Sequence, residues 1–161
     1  MNHHATAIDM TPALAESMLF KMIWAHSEKK SYLTGTWLRD YVNTDMWYSC
    51  FAHVLPKGQN KYPYFRHLAR NIVPMTPDEH HLWDDGTEEQ RIQYALDVEE
   101  QSGGRNTCDW NKLKTLEAEL KAEYLRWFPS TRGMIVGCKY TPAEVQTIVG
   151  ALNNEFFNGK K

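Results

Sequence analysis

The stretch from Trp47 to Gly86 constrains the fold more than any other part of the chain. Met46 to Leu55 is uncharged, aromatic and partly β-branched, and reads as a strand that carries His53 near its end. Pro56-Lys57-Gly58 stops it with turn chemistry. A loop from Gln59 to Arg70 follows. Ile72-Val73-Pro74-Met75 then reads as a short second strand, and its proline places it at a sheet edge. Thr76-Pro77-Asp78-Glu79 opens a helix: Thr76 can cap it, Pro77 suits the first turn, and Glu79 can complete a capping box. That helix continues through His80, His81, Leu82, Trp83, Asp84 and Asp85, and Gly86 ends it. Two antiparallel strands followed by a packed helix bring strand ends and one helix face together.

The flanks are helical in pattern. After a loose arm over 1–10, Thr11-Pro12 starts a helix at about 12–26 with Leu14, Met18, Leu19, Met22 and Ile23 on its apolar side. A short helix over 36–42 follows the break at Gly35. An acidic helical stretch runs from Thr87 to Gln101. Asp109 can cap a helix over about 110–127, whose stripe is Leu113, Leu116, Leu120, Tyr124 and Trp127. A turn-rich connector holds Met134-Ile135-Val136 as a short strand, and Thr141-Pro142 starts a last helix over about 142–157. The expected fold is α+β and mostly helical. It forms one domain over 1–161, with the strand–strand–helix unit at 46–86 and helical flanks at 11–45 and 87–161.

A chain of 161 residues with 42% apolar content can bury a real core. Cys50, Cys108 and Cys138 form no CxxC pair, which argues against a zinc ribbon or a disulfide framework and fits a reducing compartment. No apolar run reaches the length of a membrane span, and the N-terminus lacks a secretory build. A soluble cytoplasmic protein with no membrane partner is the expectation.

The net charge of −2 argues against a generic nucleic-acid coat protein, but the charge is unevenly spread. No acidic residue lies between Met46 and Pro77, whereas Lys57, Lys61, Arg66 and Arg70 all do. Basic residues interleaved with Tyr62, Tyr64 and Phe65 suit a phosphate backbone. The plainer alternative is a solvated loop whose aromatics pack onto the core. The same loop could serve a homodimer face or a protein partner.

His80 and Asp84 lie four apart, as do His81 and Asp85, so either pair shares a helix face and could hold one divalent cation. Local His–Asp hydrogen bonds are the alternative. His53 at a strand end is either a buried, satisfied histidine or a reactive one. Taken in order, His53, Asn71, His80 and Asp84 resemble the HNH endonucleases of the His-Me finger, or ββα-metal, superfamily. The likeness is greatest to the phage and mobile-element branch, whose first strand reads Ala-His-Ile or Ala-His-Val before a Ser/Pro-Lys-Gly turn. Here the residues are Ala52-His53-Val54 and Pro56-Lys57-Gly58.

The resemblance implies a ββα-metal unit in which His53 is the general base and Asn71 steadies the loop or the histidine. It implies that His80, with His81 as competitor, binds a divalent metal (Mg²⁺, Mn²⁺ or Zn²⁺), and that Asp84 is the next ligand. DNA is then the partner, gripped by Lys57, Lys61, Arg66 and Arg70. Two departures stand out. Ala52 occupies the place where many relatives carry an Asp or His ligand, and Thr76 and Glu79 stand where many carry a CxxC pair. They keep a second reading open: a catalytically inert module that binds nucleic acid or protein, such as a phage-encoded inhibitor.

Overall fold

Local capping chemistry sets where most of the helices begin. The Thr76, Thr87 and Thr141 side chains each accept the amide three residues on, and Glu79, Gln90 and Glu144 each return a bond to the cap amide. Asp109 accepts the Lys112 amide in the same way. The structure, a computed structural model, describes residues 12–58, 61–128 and 139–159. Within them run α1 (Pro12–His26), β1 (Phe51–His53), β2 (Ile72–Pro74), α2 (Pro77–Asp85), α3 (Glu88–Gln101), α4 (Trp110–Trp127) and α5 (Pro142–Asn158). The fold is α+β and mostly helical. No helix among the described residues is long and apolar enough to cross a membrane.

The bounds of the long helices and of β2, expected at 72–75, follow the sequence pattern closely; the expected strand at 46–55 and helix at 36–42 do not. Trp47–Cys50 forms a 3-10 turn, and only Phe51–His53 of the expected 46–55 strand enters the sheet. The aromatic content of this run serves packing rather than pairing: the Trp47 ring meets Trp24 and Phe51 edge-on at 4.8 and 4.9 Å. Past His53, the Val54 amide still bonds the Asn71 carbonyl, but the Leu55 amide turns to the Asn71 side chain, so the ladder ends. The expected 36–42 helix is reduced to a 3-10 turn at Arg39–Tyr41. Gly35, at φ +74°, turns the chain so that Lys30 and Trp37 pair across a single bridge. The arm at 1–10 and the strand expected at Met134–Val136 lie outside the described residues.

β1 and β2 pair antiparallel, with Phe51 opposite Pro74, Ala52 opposite Val73 and His53 opposite Ile72. Side chains alternate faces along a strand, and this divides the core. Phe51 and Ile72 pack with Leu19, Phe20 and Ile23 of α1. Ala52 and Val73 pack with Leu113, Leu116 and Leu120 of α4. The ribbon is thus sandwiched between α1 and α4, and His53 shares the α1 side with Phe51.

Glu79 is fully buried and ties α2 into this frame. Its carboxylate accepts bonds from the Ser31 and Thr34 hydroxyls, the Tyr94 phenol and the Thr76 amide. A buried carboxylate is tolerated only when so fully satisfied. Loop 31–34, the start of α2 and α3 are held by one side chain. Burial first, and the Glu79 charge second, push the Cys50 and Cys108 thiols up to about 11 and about 12, so both stay protonated.

Candidate active site

His53 ends β1 with its side chain 9% exposed. Its Nε2 lies 2.8 Å from the Arg66 carbonyl oxygen. A carbonyl can only accept, so Nε2 carries the proton and Nδ1 of the neutral ring holds the lone pair. Burial lowers the pKa to about 4, helped by Lys57 and Arg66 and opposed by the Arg66 carbonyl and Glu16. The ring is neutral at pH 7, as a proton acceptor must be.

Asn71 is fully buried and does not touch the imidazole through any bond among the described residues. Its Nδ2 donates to the Leu55 and Phe65 carbonyls, both at 3.2 Å, and its Oδ1 accepts the Leu55 amide at 2.7 Å. It therefore closes the loop between the strands and fixes Phe65, next to the carbonyl that holds His53. Asn71 is a positioning residue.

α2 reaches over β1 and bonds the backbone on both sides of it. His80 Nδ1 donates to the Ser49 carbonyl at 2.8 Å, and Trp83 Nε1 donates to the Val54 carbonyl at 3.3 Å. The first bond commits the His80 proton to Nδ1. Nε2 then faces Asp84 Oδ2 at 3.0 Å with a lone pair of its own. Two acceptors at that distance require a positive species between them, either a second ring proton or a metal cation. Without a cation the proton serves. Partial burial resists protonation, but the Asp84 carboxylate and the Ser49 carbonyl outweigh it, and the His80 pKa is raised.

The pair also fits a divalent ion, because two cis ligands at roughly 2.1 Å from one cation stand about 3.0 Å apart. Among the described residues no group of three or more His, Cys, Asp or Glu is arranged to hold a metal. Two protein ligands with the rest left to water and phosphate is a usual arrangement for Mg²⁺. His81 takes no part. Its side chain is 75% exposed and lies 3.6 Å from Asp85, on the solvent side of α2.

His53, His80, Asp84 and Lys57 line one cavity of about 710 Å³. Four further charged residues there were missed by sequence reasoning: Glu16 from α1, Arg91 from α3, and Lys114 and Glu117 from α4. Arg91 donates to the Leu82 and Trp83 carbonyls, satisfying the end of α2, and its guanidinium lies 5.4 Å from the Trp83 ring. No local sequence pattern announces it. Glu16 did leave a signal: it sits four before Phe20 and seven before Ile23, a carboxylate in register with a buried face.

The four basic candidates separate. Lys57 Nζ contacts the Glu16 carboxylate at 3.0 and 3.2 Å, and Arg66 Nε lies 3.5 Å from it. Lys61 is exposed and outside the cavity lining. Arg70 turns away to Glu119 at 2.6 Å and lines a different cavity. The aromatics of the loop pack inward, as the plainer alternative expects: Tyr62, Tyr64 and Phe65 lie 5.1, 6.1 and 4.9 Å from the Tyr124 ring.

Comparison with family models, curated proteins and solved structures returned no match for this chain.

Proposed function

We propose that the chain is an HNH-like, metal-dependent endonuclease that hydrolyses phosphodiester bonds in DNA, with β1, β2 and α2 as its ββα-metal unit. One observation carries the reading: a neutral imidazole and a His–Asp pair that can hold either a proton or a cation line the same cavity.

In this reading His53 accepts the proton of the attacking water at Nδ1. The Arg66 carbonyl holds the ring throughout and favours the imidazolium that results. Burial is the main cause of the depressed His53 pKa; a phosphate entering beside Lys57 and Arg66 offsets their smaller share and so raises the basicity somewhat as substrate binds. Lys57 and Arg66 grip the phosphate, and Asn71 keeps the loop that carries them closed. A divalent ion (Mg²⁺, Mn²⁺ or Zn²⁺) held by His80 and Asp84 would supply Lewis-acid stabilisation to the phosphate and the leaving 3′-oxygen.

A specific observation favours a second reading. Ala52 is fully buried on the α4 side of the ribbon, so its position offers no third ligand. A two-ligand site on an inert DNA-binding module is the alternative. Plasmid nicking with Mg²⁺, Mn²⁺, Zn²⁺ or EDTA separates the two. Metal-dependent nicking by the wild type, reduced about 10²–10⁴-fold in His53→Ala with folding and DNA binding intact, is the expected result. Wild-type rates in His53→Ala would remove His53 from the chemistry, and binding without nicking by the wild type would establish the inert module.

A further inference from the structure

Glu16 is one of three carboxylates, with Asp84 and Glu117, that line this cavity, and the one seated among its basic groups. It projects from α1, which is anchored by the buried Leu19, Phe20 and Ile23. Its carboxylate is 15% exposed and takes both Lys57 Nζ contacts, at 3.0 and 3.2 Å. The same Oε2 lies 3.5 Å from Arg66 Nε and 3.5 Å from His53 Nε2. Arg66 Nε is buried and has no hydrogen-bond partner among the described residues, so this cluster holds a donor that Glu16 does not fully satisfy. Buried donors without partners are costly and point to a missing acceptor.

A carboxylate held by a lysine and approached by an arginine and a histidine occupies the position an anionic phosphate oxygen would take. We infer that Lys57, Arg66 and the His53 edge form a phosphodiester subsite, and that Glu16 fills it as an internal competitor that DNA must displace. The inference rests on the endonuclease reading for its choice of ligand. A phosphodiester's two non-bridging oxygens, not tethered to α1, can reach Lys57 and Arg66 Nε together. Displacement needs no movement of α1, because a glutamate side chain can swing into the cavity mouth about its own torsions. Glu16 thereby sets specificity: a single weak anion does not dislodge it, whereas a DNA strand held at several phosphates does.

The competition has a particular thermodynamic signature. With Glu16 in place, one of the two positive charges of Lys57 and Arg66 is offset internally, so fewer counterions are released when DNA binds. Glu16→Gln keeps the shape and removes the charge. Binding of a fluorescein-labelled short DNA duplex, followed by anisotropy in EDTA across a NaCl series, should tighten about tenfold. The slope of log K against log[salt] should steepen by about 0.9 for each phosphate newly contacted. Adding Lys57→Ala to Glu16→Gln should return both quantities to wild-type values or below. If Glu16→Gln melts before the assay, Glu16→Asp provides the same test, because its shorter carboxylate grips Lys57 less well and the same changes should appear at smaller size.

An unchanged affinity and slope in a folded variant overturns the inference. So does a fall in nicking rate with binding unaltered, which would make Glu16 a positioning residue for His53. The two readings fail separately. A wild type that never nicks, with tighter binding by Glu16→Gln, keeps the subsite and ends the endonuclease. A wild type that nicks, with no change in binding by Glu16→Gln, does the reverse.

Discussion

Replacing Asn71 with alanine should cost more stability than any other single change near the cavity. The side chain is fully buried and makes three hydrogen bonds, two to carbonyls and one from the Leu55 amide. Each such bond is worth a net ~0.5–1.5 kcal/mol, and a buried amide left without a partner costs about 1–3 kcal/mol. Alanine leaves the Leu55 amide orphaned between β1 and the loop. A loss of about 3–4 kcal/mol follows, a large part of the 5–15 kcal/mol typical of a domain. Urea unfolding followed by tryptophan fluorescence reads it directly, as a lower midpoint at constant slope. Asn71→Asp should be at least as damaging at neutral pH, because it turns the Nδ2 donor into an oxygen that faces the Leu55 and Phe65 carbonyls. The effect should also reach the base. With the loop loosened, His53 loses the burial that holds its pKa down; loss of the Arg66 carbonyl bond acts the other way but is the smaller effect, so the ring pKa should climb from about 4 toward 6.5. A loss below about 1 kcal/mol, with the His53 titration unmoved, would refute the role given to Asn71.

Two further outcomes concern the histidines. In the proposed metal site, proton and metal would compete for His80 Nε2, so affinity for Mn²⁺, measured by calorimetry, should rise about tenfold per pH unit below the raised His80 pKa and level off above it, with one proton released per ion below that pKa; Asp84→Asn should weaken binding and lower that pKa, and a pH-independent affinity would exclude Nε2 as a ligand. His53 should titrate by NMR near its depressed value of about 4. Because the unfolded ring takes up its proton near 6.5 and the folded ring resists it, this group's contribution falls as pH drops from about 6.5 to about 4, by up to roughly 1.4 kcal/mol per unit. His80 acts in the opposite sense: its stabilisation is present below about 6.5 and is lost as pH rises through its raised value. A His53 ring that titrates at 6.5 in the folded protein would place it outside the buried pocket described above.

What could be read from sequence was local. The caps at Thr76, Asp109 and Thr141 work within one turn of their own helix, so the starts of α2, α4 and α5 were legible without tertiary knowledge. The strand at 46–55 was drawn too long because aromatic content favours sheet and packed turn alike. What decided between them was the rings of Trp24 and Phe51, one of them distant in the chain. Glu16 and Arg91 escaped for the same reason, since only packing brings α1 and α3 to the cavity.

The choice between His80 and His81 shows how a local signal can hold a tertiary answer. Both have an aspartate four residues on, so spacing alone leaves them equal. The rotation of α2 separates them. Glu79 is buried among its four donors, and at about 100° per residue Trp83 falls close beside it on the inward side. His80 and Asp84 then flank that inward side, half-shielded at the cavity edge, while His81 and Asp85 turn to solvent. The carboxylate that reads as a routine capping-box residue sets the phase of the helix. A charge-preserving shift of that anchor, Glu79→Asp, would withdraw the group by one methylene from Ser31, Thr34 and Tyr94. The His80–Asp84 pair is therefore bound mechanically to a residue about 100–140° away around the same helix.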